Sequence, residues 1–170
     1  LPILLLIKIS FDANGNGKND YDMSDGSKLY ADKTSEYYGE QWCCSSDSYW
    51  SNMLFGSTGS LKSFYKESSG GTFWFYPAEE SYVGLNGGAA NDGIVEVVVS
   101  YQHPYAKTGN QNNEYAEARI AALKAANNFV DFASFDKNGD GELDYTELAI
   151  VFVCGGYEYS AGYGSTRPSD

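Results

Sequence analysis

Residues Ile3–Phe11 read Ile-Leu-Leu-Leu-Ile-Lys-Ile-Ser-Phe. The first five form a continuous apolar run, and the last four alternate polar with apolar residues. A short stretch of this kind, followed by turn-forming residues, is typical of a buried strand rather than a helix. Ile94–Tyr101, which is rich in β-branched residues, and the apolar run Leu148–Cys154 are predicted to be strands for the same reasons.

Helical stretches are interleaved with these strands. Three helices are predicted, each after a residue that can cap it: Ser48–Phe55 after Asp47, Leu61–Glu67 after Ser60, and Glu114 to about Phe132 after Asn113. In the second helix, Leu61, Phe64 and Tyr65 fall on one apolar face. The aromatic stretch Thr72–Tyr76 is predicted as a fourth strand that Pro77 halts. Strands and helices in this order predict an α/β architecture with a partly buried sheet.

Length and charge limit the possible classes of protein. The 170 residues fit one domain over 1–170, in which residues 13–46 are predicted to be an irregular insertion. With 11 basic and 23 acidic residues the net charge is −12, so we expect no nucleic-acid partner. The apolar run Leu1–Ile7 is far shorter than the roughly 20 residues of a membrane span. The chain does not begin with Met, and we expect it to be a piece of a longer protein.

Residues 136–147 carry the most specific motif of the chain. They read Asp-Lys-Asn-Gly-Asp-Gly-Glu-Leu-Asp-Tyr-Thr-Glu and match the calcium-loop pattern D-x-[DN]-x-[DN]-G-x₅-E at every defined position. Calcium takes about six to eight oxygen ligands, whereas magnesium prefers a smaller octahedral shell with several waters. The expected calcium ligands are the side chains of Asp136, Asn138 and Asp140, the backbone carbonyl of Glu142, Asp144 through water, and the closing carboxylate of Glu147.

The sequence around this loop favours a structural ion. Five acidic residues and one Lys in twelve positions repel one another without a cation. A calcium-sensing EF-hand continues into an amphipathic helix, but here the loop continues into Leu148–Cys154, which has no polar face. We therefore expect an EF-hand-like calcium loop that joins a helix to a strand. A calcium sensor is a less favoured alternative. The other alternative is a solvated acidic turn between two elements that binds no ion.

A weaker copy of the pattern begins at Asp12. Its candidate ligands for a second calcium ion are Asp12, Asn14, Asn16, Lys18 and Asp20. Position twelve is Met23, so the closing carboxylate is missing, and an Asn-Gly turn is the favoured interpretation. The single histidine, His103, cannot build a catalytic zinc site, which needs about three protein ligands. The three Trp and 15 Tyr residues leave open a groove that binds glycan or peptide.

Short motifs follow one another in a definite order along the chain. They are Leu4–Asp12, Leu54–Gly56, Ser60–Ser68, Gly71–Phe73, Asp92–Val95 with His103-Pro104, Ala121–Ala126, Val130–Gly141 and Glu147–Glu158. This order and spacing, which omits only residues 13–46, resembles the N-terminal half of the immune-inhibitor-A-like secreted bacterial metallopeptidases. The resemblance implies a zincin-type upper subdomain, in which a twisted mixed β-sheet packed with helices lies above a substrate cleft.

The resemblance also implies a role for the chain. Family members carry H-E-x-x-H further along, where two His bind zinc and the Glu activates water. Residues 1–170 contain no such motif, so no catalytic residue and no zinc ligand is assigned, and zinc is expected only in a downstream part. We expect a secreted subdomain that is not catalytic alone. Its expected partners are the remainder of the catalytic domain and a peptide or protein substrate. The alternative is a non-catalytic, calcium-stabilised binding module for glycan or peptide.

Overall fold

The computed structural model describes residues 2–12, 47–83, 88–100 and 111–154. The elements within these ranges, in chain order, are β1 (Ile3–Phe11), α1 (Asp47–Phe55), α2 (Leu61–Ser68), β2 (Tyr76–Pro77), β3 (Ile94–Val99), α3 (Gln111–Ala126), a 3-10 helix (Phe132–Phe135) and β4 (Ala149–Cys154). Helices alternate with strands, so the predicted α/β class is confirmed. The predicted insertion over 13–46 and the residue His103 lie outside the described ranges.

Strand β1 is the centre of a four-stranded sheet with the order β2-β1-β3, and β4 also pairs with β1. β2 runs parallel to β1, with Ile3 opposite Tyr76. β3 is also parallel to β1, because the N–H of Leu6 donates to the carbonyl of Gly93 (2.8 Å) and the N–H of Asp12 to that of Val99 (2.9 Å). Every residue from Leu4 to Phe11 is buried. Burial on both faces explains why the strand begins as a continuous apolar run.

The chain divides into two compact units. The first lies within Leu1–Ile7, Ser46–Glu96 and Ala126–Phe152, and the second within Lys8–Ser45, Val97–Ala125 and Val153–Asp170. The first has buried residues that include Leu5, Ile7, Ala78, Ile94, Val95 and Val130; those of the second include Ile9, Phe11, Val97, Val99, Ala118 and Ala122. The single domain inferred from the length stays a prediction. Residues 136–147 lie within the first unit.

The fourth strand differs from its prediction. Only Tyr76–Pro77 is paired, so Pro77 lies inside the strand instead of halting it. The N–H of Tyr76 donates to the carbonyl of Pro2 (3.1 Å), and the N–H of Ala78 donates to that of Leu4 (3.0 Å). Alternate residues supply the donors toward β1, and the proline stands between them. A proline is tolerated at an edge position of this kind, where its missing N–H would point away from the sheet.

The first two helices follow their capping signals. α1 ends at Phe55 as predicted but already includes Asp47, the predicted cap. At the start of α2 the predicted Ser60 cap is confirmed, since the N–H of Ser63 donates to the Ser60 Oγ (3.0 Å). The Ser63 Oγ accepts from the N–H of Ser60 in return (2.9 Å). The apolar face of α2 is not buried, and Phe64 is 65% exposed.

The second half of the chain also differs at element ends. α3 spans Gln111–Ala126, so the prediction of a helix from Glu114 to about Phe132 was wrong at both ends. The N–H groups of Phe129 and Val130 both donate to the Ala126 carbonyl, at 2.8 and 2.9 Å, which closes the last turn. β4 begins one residue later than predicted and is only partly buried, with Val151 39% exposed. None of the described helices has the length and apolar character to cross a membrane.

Candidate functional site

The acidic loop 136–147 connects the 3-10 helix to β4. Phe135 precedes the loop and Leu148 follows it, and both side chains are buried. The residues between them are mostly exposed, except Glu147, which is 8% exposed. The 3-10 helix, rather than the long helix expected from the sequence, therefore leads into the loop. Because buried residues fix both ends, a change in the loop can alter the stability of the core around it.

The first half of the loop wraps its backbone around its own side chains. The Asp136 carboxylate accepts from the N–H of Gly139 (2.7 Å, at Oδ1) and from that of Gly141 (2.9 Å, at Oδ2). The Asn138 Oδ1 accepts from the N–H of Asp140 (2.8 Å). Gly139 and Gly141 have φ values of +74° and +81°. Glycine adopts this left-handed conformation without a steric cost, so the motif glycine at 141 is required by the bend.

The second half of the loop is closed by Glu147. Its Oε1 accepts from the N–H groups of Lys137 (2.9 Å) and Asn138 (3.1 Å). Position twelve of the motif thus lies against positions two and three. The Oδ1 of Asp144 accepts from the hydroxyl (2.6 Å) and the N–H (2.7 Å) of Thr146. These two bonds, the hydroxyl first, hold the pKa of Asp144 below its ordinary value.

The loop has oxygen atoms of the kinds that bind calcium, but its acidic side chains are not grouped around one point. Carboxylate, amide and carbonyl oxygens are the ligands that calcium prefers. The loop's one ammonium group, that of Lys137, donates to the Ser134 carbonyl (2.7 Å). Within the described ranges, however, no three His, Cys, Asp or Glu side chains are grouped so that they could hold a metal ion. The structure therefore places the predicted ligands on one loop without converging their carboxylates on a common point.

The second candidate calcium site is described only at Asp12. This residue is buried at the end of β1, where its N–H donates to the Val99 carbonyl (2.9 Å). The other candidate ligands lie outside the described ranges. Asp12 therefore has a structural place beside the sheet, and the second site stays a prediction.

The sequence did not reveal the role of Glu80. Glu79 is exposed and Glu80 is buried. Glu80 accepts from the N–H groups of Tyr82 (2.6 Å, at Oε2) and Asp92 (2.9 Å, at Oε1). Burial raises the pKa of Glu80 above its ordinary value of 4.5, against the effect of these bonds. No motif marks the residue, because its partners are backbone groups that come together only in the fold.

Asp92 continues this network into the sheet. Its Oδ1 accepts from the N–H of Ile94 (2.9 Å), the first residue of β3, and its Oδ2 from that of Ala89 (3.1 Å). Beside the network lies an open groove of about 760 Å³, lined by residues that include Glu79, Glu80, Asn127, Asn128, Asp131 and Ser134. Burial, followed by the negative charges of Glu96 and Asp47, raises the pKa of Tyr82 to about 12. We interpret the network as an anchor for the start of β3.

No family model matches the chain, and no curated protein or solved structure matches it either. The functional argument therefore depends on the residues and contacts described above.

Proposed function

We propose that residues 136–147 bind one calcium ion that stabilises the joint between the 3-10 helix and β4. One observation carries the proposal: Glu147, at the closing position of a complete calcium-loop motif, lies back against the start of the loop and accepts from Lys137 and Asn138. The loop backbone thus already has the closed path that brings positions one and twelve near each other. Its oxygen atoms are suitable ligands for calcium, and the glycine at 141 permits the bend of the loop.

Calcium binding would require a local rearrangement. The carboxylates of Asp136, Asp140 and Glu147 now accept hydrogen bonds from the loop backbone. A carboxylate oxygen has lone pairs for more than one partner, so each group can keep a backbone contact and turn another lone pair toward an ion. The bound cation would offset the repulsion among the five acidic side chains, which is the source of its stabilising effect.

The surroundings of the loop favour a structural ion over a sensor. The loop leads into a strand of the sheet, and buried Phe135 and Leu148 fix its two ends. A sensor instead needs a helix pair that can open when the ion binds. We therefore expect calcium to raise the unfolding temperature and to change the overall dimensions little.

The proposed biological role follows from the order of motifs in the sequence. In this proposal the chain is the N-terminal subdomain of a secreted zinc metallopeptidase, and its sheet frames the substrate cleft. Support comes from the resemblance to the immune-inhibitor-A-like peptidases and from the α/β sheet built on parallel strands. Zinc would be bound by an H-E-x-x-H helix downstream, since residues 1–170 contain no such motif. We expect the chain alone to leave peptides uncleaved.

Isothermal titration calorimetry of the chain tests the calcium proposal. We expect one site for Ca²⁺ and a much weaker response to Mg²⁺, which serves as the matched control. Solution scattering with Ca²⁺ and with chelator should give the same radius of gyration, whereas a large change would favour the sensor. Absence of binding at millimolar Ca²⁺ would refute the proposal.

Two further measurements test the peptidase role separately. The coding sequence beyond Asp170 should contain H-E-x-x-H, and a stop codon there would instead favour the binding module. Zinc-dependent proteolysis by this chain alone would contradict the assignment of catalysis to a downstream part.

A further inference from the structure

Helix α2 and the aromatic segment 72–77 form a surface that the calcium proposal does not use. Lys62 and Lys66 lie one helical turn apart, so their side chains project from the same face of α2. The Lys62 Nζ lies 5.8 Å from the centre of the Tyr76 ring, and the Lys66 Nζ lies 5.5 Å from the centre of the Trp74 ring. Trp74 and Tyr76 are two residues apart in an extended segment and therefore share a face. We call Lys62, Lys66, Trp74 and Tyr76 the lysine–aromatic surface.

This surface is exposed although much of it is apolar. Tyr76 is 43% exposed, Lys66 is exposed and Trp74 is half-buried. The aromatic rings behind it support one another: Tyr65, Phe73 and Phe75 form three mutual edge-to-face contacts with centroid distances of 5.3 to 5.5 Å. Such contacts fix the ring positions, so the exposed rings next to them are held on a rigid base. A rigid, exposed aromatic patch is typical of an interaction site.

The charge of the surface is opposite to that of the chain. The whole chain carries −12, yet residues 60–77 contain two lysines and one glutamate. The contacts that the structure describes for both ammonium groups are with aromatic rings. A cation over a ring is attracted by the ring and retains its full charge. Both lysines can therefore still pair with carboxylates of a partner.

We propose that the lysine–aromatic surface docks an acidic polypeptide segment that also carries large apolar side chains. Charge complementarity selects carboxylates opposite Lys62 and Lys66, and the exposed ring of Tyr76 offers apolar contact beside them. An acidic glycan is disfavoured by the ring geometry. Trp74 and Tyr76 are inclined at 62° to each other, so they form no flat platform on which sugar rings could stack.

The docking proposal is independent of the calcium site and is tested with the full chain. A fluorescein-labelled peptide of alternating Asp and Phe is titrated in Ca²⁺ and in chelator, and binding is measured by anisotropy. An otherwise identical peptide with Lys in place of Asp, and an oligomer of an acidic sugar, are the comparison ligands. We expect the acidic peptide to bind most tightly, equally well with and without Ca²⁺, and more weakly as salt rises.

Variants locate the site. The double change Lys62→Glu with Lys66→Glu should weaken binding at least tenfold, since it replaces attraction by repulsion at the contact. The matched control is Arg119→Glu with Lys124→Glu, two exposed positions of α3 that change the net charge equally. Tyr76→Ser, at an exposed position, should weaken binding about threefold or more without changing the circular dichroism spectrum, whereas Phe64→Ser, on the opposite side of α2, should leave binding unchanged. Tighter binding of the sugar oligomer or of the basic peptide would overturn the proposal. So would an equal loss in the α3 control, or no binding of the acidic peptide.

Discussion

The change Glu147→Gln separates the closing role of this residue from its proposed role as a calcium ligand. The Glu147 Oε1 accepts two backbone N–H groups, whereas the contact of Oε2 with the N–H of Asp144 is long, at 3.4 Å. A glutamine oxygen can accept the same two bonds. We therefore expect the variant to lose only the charge-assisted part of these bonds, about 1 kcal/mol.

The loss is much larger when calcium is present. At a calcium concentration 100 times Kd, binding to the folded state alone stabilises the wild-type chain by about 2.7 kcal/mol. Removing the closing negative ligand should weaken affinity about 100-fold, since affinity depends on ligand charge. The same concentration then stabilises the variant by about 0.4 kcal/mol. The variant therefore loses about 2.3 kcal/mol of the stabilisation by calcium. For a chain of this size, this loss makes the calcium-induced rise in the unfolding temperature roughly 5 to 9 °C smaller than in the wild type.

Differential scanning calorimetry with calcium and with chelator measures this shift for each protein. The matched control is Glu142→Gln, which removes the same charge from the same loop, but at a position expected to bind through its backbone carbonyl. Its calcium-induced shift should stay within about 2 °C of the wild-type value, since only a surface charge is lost. The reasoning fails if both variants lose the same shift, or if calcium does not raise the wild-type midpoint.

Three other changes test the fold around the site. Ser60→Ala removes the cap of α2 and should lower stability by about 1 kcal/mol, measured by urea unfolding. Gly93→Ala should lower the free energy of unfolding by more than about 2 kcal/mol, because φ is +77° and the added Cβ would lie 3.0 Å from Pro77. The control is Gly59→Ala, where φ is +63° but the space around the added Cβ is open, so only the backbone strain should appear. An equal loss of stability in both variants would contradict a close contact at Gly93. Glu80→Gln should lower the free energy of unfolding by about 1 to 3 kcal/mol at pH 7, since an amide nitrogen cannot accept a hydrogen bond from the second backbone N–H. The pKa of Glu80 is raised in the folded state, so its own titration favours folding most below its ordinary value of 4.5 and loses this contribution as pH rises through the folded value. The stability difference between wild type and Glu80→Gln should therefore grow as pH falls from 7 toward 5, and a difference that does not change with pH would contradict the raised pKa.

Local signals predicted the elements whose structure depends on neighbours in sequence. β1 was confirmed over Ile3–Phe11; burial on both faces matches the continuous apolar run of its first five residues, although Lys8 and Ser10 are buried as well. The cap at Ser60 was confirmed because the capping box is completed within four residues. In residues 136–147 the N–H groups of Gly139 and Gly141 donate to the Asp136 carboxylate, and Gly141 makes the bend that the motif predicted; calcium binding there stays a prediction.

Features that depend on distant residues could not be predicted in this way. Pro77 lies inside a strand because its neighbours donate to β1, more than seventy residues earlier in the sequence. The Glu80 network joins the segment after β2 to the segment before β3, and no sequence spacing marks it. The apolar face of α2 has the same spacing as a buried one, so periodicity alone could not show that Phe64 is exposed.

The position of Pro77 has a consequence for the behaviour of the chain in concentrated solution. In the described sheet, β2 is the outermost strand of the order β2-β1-β3. The donors of Tyr76 and Ala78 are already used toward β1, and the proline between them presents no hydrogen-bond donor to the outside. A strand from another molecule would find no hydrogen-bond donor at Pro77. This single residue therefore disfavours edge-to-edge pairing of sheets from two molecules, the step by which fibrils grow.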